Sequence, residues 1–140
     1  MKILAWLGSD RGRRYASGYL VLQALLGVAW WSALFTASTV RAWFELMPDR
    51  PSGLDAYLIA DALVFIGGSL AAAATVWRQS RWASIVTSFT AGGIAYATLH
   101  LLGWVILEGS AAAGLLPMGV ALVATTLIAI GTRPDSVAHG

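Results

Sequence analysis

The sequence predicts an all-α integral membrane protein: an antiparallel bundle of four transmembrane helices with both termini on the cytoplasmic side. Three observations carry that prediction. Apolar residues fill 58% of the 140 positions and charged residues only 11%, whereas a soluble domain carries about a quarter charged residues. The apolar residues gather in four runs, each long enough for the ~20 helical residues that cross a hydrocarbon core. Seven of the nine Lys and Arg residues lie on one side of those runs, and cationic loops stay cytoplasmic.

The opening MKILAWLG is too short to span and is expected to lie along the cytoplasmic interface. RGRR then precedes the first span, residues 15–40. A secretory signal also starts with basic residues. This run is about twice the length of a signal core, and no small-residue cleavage site follows it, so it reads as a retained helix. The connection from Arg41 to Gly53 holds Pro48, Pro51, Trp43 and Phe44. It is expected outside, folded back over the bundle.

The second span covers residues 55–77 and ends in the turn WRQSRW, whose Trp77 and Trp82 read as an interfacial belt. The third span covers residues 82–107 and the fourth residues 110–132, where Pro117 is expected to introduce a bend. Short turns make the second, third and fourth helices successive antiparallel neighbours. Residues 1–140 are expected to form a single membrane domain without internal repeats. The expected location is the cytoplasmic (inner) membrane of a bacterium.

Polar residues inside the spans mark the candidate site. Asp61 lies six residues into the second span from Asp55, roughly 9 Å deep at 1.5 Å per residue. His100 lies eight residues below Glu108 on the third, roughly 12 Å deep by the same rise. An acid and a histidine thus reach a similar depth on adjacent helices, and they are expected to meet. Residues four apart stack on one helix face. That rule adds Tyr57 above Asp61, places Tyr96, Trp104 and Glu108 in series with His100, and sets Arg41 beside Glu45 over the same outer end. The other half of the second span, GGSLAAAAT, is small residue after small residue, and Ala91, Gly92 and Gly93 oppose it on the third. Small residues let helices approach closely in lipid. The bundle is therefore expected to close towards the cytoplasm and widen into a pocket open to the outer leaflet.

These features point to cofactor-independent acid–base chemistry on a small lipophilic substrate: isomerisation, cyclisation or epoxide opening. Asp61 and His100 are the candidate catalytic residues, because ionisable groups within spans are costly and mark function by default. Tyr57, Tyr96, Trp104, Glu108, Arg41 and Glu45 are the candidate substrate-binding residues. The same aspartate also admits a structural reading, in which it bonds a neighbour and holds two helices in register. No cofactor is expected. With no cysteine, disulfides, thiolate metal sites and dithiol chemistry are excluded. One deep histidine cannot supply paired haem ligands, and no metal-ligand spacing is present. The paired glycines lie inside spans, so they form no phosphate or dinucleotide loop.

The net charge of +2 follows membrane topology and does not point to nucleic acid. Expected partners are the lipid bilayer, a lipophilic small molecule, and either a second copy or another membrane protein. An accessory subunit of a larger complex is the alternative reading, and a proton-coupled transporter the third. Four-helix multidrug exporters are similar in size, but their coupling acid sits in the first helix, and no acid occurs here between Tyr15 and Val40. The design also resembles four-helix sterol-isomerase-like bundles, with an acid in an intramembrane pocket. No residue role carries over from that likeness.

Overall fold

A computed structural model describes residues 2–44, 52–109 and 112–132. It is helical throughout, with no strand among the described residues. Four helices are long and apolar enough to cross a membrane: Asp10–Thr36, Tyr57–Trp77, Ala83–Glu108 and Ala112–Gly131. Two ends can be told apart by contact. Gln79 bonds Asp10 at one end, and Arg41 bonds Asp55 at the other. The first is called the arginine-rich end below and the second the far end.

A short helix α1 (Lys2–Gly8) packs on α2 (Asp10–Thr36) and on α7 (Leu115–Gly131). The α2 helix begins ahead of the expected residue 15 because Ser9 caps it, its Oγ accepting the Gly12 N–H at 3.1 Å. The cap satisfies one of the N–H groups that a helix start leaves unpaired. A Cβ built at Gly12 would run into the Trp6 carbonyl and sit 2.7 Å from Leu7 Cα. Glycine there is what lets α1 fold back onto α2.

The first span also ends earlier than expected. Ala37 is extended (φ −123°, ψ 98°), and the short helix α3 (Ser38–Ala42) follows. Ahead of the break, Ser32 Oγ donates to the Val28 carbonyl and Thr36 Oγ1 to the Ser32 carbonyl, each at 2.8 Å.

The second span is not a uniform α-helix. It runs as α4 (Ser52–Ala60), a π-helical segment Asp61–Gly67, and α5 (Gly68–Trp77). The Gly68 N–H reaches five residues back to the Leu63 carbonyl. Such widened turns are rare and often accompany functional sites. The third span, α6 (Ala83–Glu108), is one uninterrupted helix. A 3₁₀ turn, Ala112–Gly114, leads into α7. Pro117 falls in the first turn of α7, where a missing N–H leaves no bond broken. The bend expected from it inside the span therefore does not follow.

Packing follows chain order, α2 on α5, α5 on α6 and α6 on α7, so the short turns do make antiparallel neighbours. Small residues bring the helices together where the sequence places them. Ala72, Ala73 and Ser69 are buried. A Cβ at Gly68 would sit 2.9 Å from Thr90 Oγ1, and one at Gly93 would meet Val64. Gly92 differs from expectation: its Cβ position has nothing within 4 Å. Two apolar clusters result. One, at the arginine-rich end, joins Leu7, Leu20, Ala72, Val76, Ala83 and Ile128. The other, at the far end, joins Trp31, Leu34 and Leu54 with Trp30 and Phe44 around them. Phe44 meets Trp30 edge-on at 4.0 Å between ring centroids, so the start of the long connection does fold back over the bundle.

Candidate functional site

The site is built from three helices at the far end. On α2, Trp31 is buried and donates its indole N–H to Asp61 Oδ2 at 3.1 Å. Asp61 opens the π-helical segment, and Tyr57 stands one turn before it on α4. On α6, Trp104 Nε1 donates to His100 Nε2 at 2.9 Å. Because Nε2 is the acceptor in that bond, the ring proton lies on Nδ1. The His100 ring centroid is 5.5 Å from that of Tyr57, 6.1 Å from Tyr96 and 6.3 Å from Trp104.

The predicted residues therefore assemble, but not in the predicted pairs. Asp61 and His100 were expected to meet directly. Instead Asp61 takes its hydrogen bond from the first span and His100 takes its bond from its own helix. His100 lies against Tyr57, with ring centroids 5.5 Å apart. The reason is rotational. Helical rise sets depth only, and the direction in which each side chain leaves its helix depends on packing.

Tyr96, though stacked beside His100, is 71% exposed, and Glu108 and Arg41 do not join the cluster. Glu108, the last residue of α6, is exposed. Arg41 bonds Asp55 at 3.0 Å and so ties the start of the second span to α3. Glu45 lies outside the described residues. Tyr57, Tyr96 and Trp104 surround His100 along the groove where the second and third spans pack. Two recesses lie elsewhere, at the arginine-rich end.

Sequence reasoning missed two features. One is Trp31, an ordinary tryptophan within a long apolar run, with no local signal that its N–H would find Asp61. The other is Gln23, buried in the first span. Its Nε2 donates to Ser69 Oγ at 2.8 Å, and its Oε1 accepts from Thr125 Oγ1 at 3.1 Å. All three side chains are at most 3% exposed. They tie α2, α5 and α7 together. An amide deep in an apolar run is a signal legible in the sequence. Polar groups in lipid must find protein partners, and this one does.

Chemically, the Trp31 N–H leaves Asp61 Oδ1 without a hydrogen-bond partner among the described residues. The His100 Nδ1–H is likewise unengaged. His100 thus stands beside Tyr57 among aromatic rings, and Asp61 lies one turn further along the same span as Tyr57. Comparison with protein-family models, with curated proteins and with solved structures finds no match for this chain.

Proposed function

We propose that the chain is a multi-pass enzyme of a bacterial inner membrane, its arginine-rich end in the cytoplasm, that performs cofactor-independent acid–base chemistry on a small lipophilic molecule. The observation that carries this reading is the Asp61 carboxyl, placed inside a span and bonded by the single uncharged N–H of Trp31. A group so expensive to keep in lipid marks function by default. It also opens a π-helical segment, a feature frequent at functional sites.

In this reading the substrate lies in the groove between the second and third spans. Asp61 gives a proton to an alkene, epoxide or carbonyl carbon–oxygen unit and takes one back on product formation, so isomerisation needs no co-reactant. His100 Nδ1–H orients a substrate oxygen. The faces of Tyr57, Tyr96 and Trp104 stabilise positive charge that develops on the substrate.

The test is turnover on a panel of polyprenyl epoxides, sterols and quinones by purified protein in lipid. Asp61→Asn is expected to lower kcat by about 100-fold or more, the usual range for a positioned acid or base, with the fold retained. Full turnover by both Asp61→Asn and His100→Ala would falsify the proposal.

A second reading, an accessory subunit, is favoured by a different observation. Gly18, Gly92 and Gly119 have nothing within 4 Å of their Cβ positions. Glycines on a lipid-facing surface admit close approach by a further helix, from a second copy or another membrane protein. Stoichiometric co-purification of a partner from native membranes supports this reading over the first.

A further inference from the structure

The arginine-rich end holds a recess that the proposed chemistry does not use. The first turns of α2 carry Arg11, Arg13 and Arg14, and the turn after α5 carries Arg78 and Arg81. Asp10 is the acid that faces them among the described residues. Its Oδ1 accepts from Arg13 Nη2 at 2.9 Å and from Gln79 Nε2 at 3.1 Å. Gln79 reaches it from a left-handed backbone, φ 51°, a conformation non-glycine residues adopt only where the surroundings impose it. The turn is thereby locked against the start of α2.

Beside that lock lies a cavity of about 190 Å³ whose lining combines Arg13, Gln79, Ser80, Arg81 and Thr132 with small and apolar residues such as Val76. A water occupies ~30 Å³ in the liquid, so the space holds a tetrahedral oxyanion with room to spare. Arg13 and Arg81 bring two guanidinium groups to this recess, beside the hydroxyls of Ser80 and Thr132 and the amide of Gln79. Arg81 meanwhile stacks over Trp82, 5.3 Å from its ring centroid. Trp6, Trp77 and Trp82 are exposed around the same end, and such belts sit at headgroup depth.

We propose that this recess binds the phosphate of an anionic phospholipid, with Arg13 and Arg81 as its charged ligands and Ser80, Gln79 and Thr132 as hydrogen-bonding walls. Basic pockets between spans suit such headgroups, and the planar fork of arginine matches phosphate oxygens two at a time. The site is separate from the aromatic groove, so its fate does not depend on the enzyme reading.

Thermal unfolding of the full chain in neutral detergent tests it, with phosphatidylglycerol, phosphatidylcholine or inorganic phosphate added at matched ionic strength. Phosphatidylglycerol is expected to raise the Tm of the wild type by several degrees more than phosphatidylcholine does. Arg81→Gln, which gives up the stacking on Trp82 but no hydrogen bond among the described residues, is expected to lose most of that rise, and Arg13→Gln to lose it as well. Arg78→Gln, a charge-matched change on the same turn outside the recess, should keep it. An equal rise in Arg81→Gln and Arg78→Gln overturns the proposal in favour of diffuse surface charge, as does an equal effect of the two lipids. A rise of the same size with inorganic phosphate alone overturns the lipid as occupant and assigns the recess to a soluble phosphate compound.

Discussion

Three polar side chains deep in the spans illustrate how differently buried polarity is used. Gln23 is fully engaged, donating to Ser69 and accepting from Thr125. Asp61 holds one bond and keeps an oxygen free. His100 is bonded yet exposed. Stability should follow engagement. Gln23→Leu preserves volume but removes two interhelical bonds, each about 0.6 and at most about 1.7 kcal/mol in membrane proteins. A loss of roughly 1–3 kcal/mol is expected, read by unfolding in mixed micelles. Asp61→Asn keeps an oxygen for the Trp31 N–H, so its cost should stay within about 0.5 kcal/mol. If Asp61→Asn proves the more destabilising of the two, the aspartate is a packing device and its catalytic reading fails.

At the scale of the helices, glycine position decides how the second span sits between its neighbours. Gly27 of α2 faces the π-helical segment, where an added Cβ would lie 2.9 Å from Ile66 Cγ1 and 3.0 Å from Phe65 Cδ1. Gly68 does the same against Thr90. Gly18 and Gly92 lie on the same helices as these close contacts or opposite them, yet face open space. Gly27→Ala and Gly68→Ala should therefore destabilise by about 1–3 kcal/mol through overpacking. Gly18→Ala and Gly92→Ala should be neutral or gain up to about 1 kcal/mol from helix propensity. The comparison of four Tm values in one detergent checks the register of the second span. Destabilisation by Gly92→Ala in lipid but not in detergent would instead reveal a partner helix on that face.

For the molecule as a whole, the two ends differ in chemistry as well as in packing. The arginine-rich end is closed by α1 and carries the charge. The far end carries the aromatic groove, the Arg41–Asp55 pair and the folded-back Phe44. The proposed orientation puts the first end in the cytoplasm. The absence of cysteine makes this simple to check with single substitutions. In intact cells a membrane-impermeant maleimide should label Ser38→Cys, and it should label Arg78→Cys only after permeabilisation. The reverse pattern would turn the topology over and, with it, the leaflet from which substrate enters.

Most of what places this chain in a membrane was legible from residue order alone. Span number, approximate limits, antiparallel neighbours and the asymmetry of charge follow from sums over consecutive residues, because transfer into lipid is set residue by residue and hardly depends on neighbours in space. Local chemistry at the helix ends was legible too, though unread. Ser9 before Asp10 signals the earlier start of α2. The meeting of Tyr57, Tyr96, Trp104 and His100 in one groove was also within reach, since depth follows from helical rise. What the tertiary structure alone decided is azimuth. Whether Asp61 faces His100 or Trp31 depends on how each helix is rotated about its axis. That rotation is set by contacts such as Gly27 on Ile66 and Gly93 on Val64, and by a π-helical segment that no residue in Asp61–Gly67 announces.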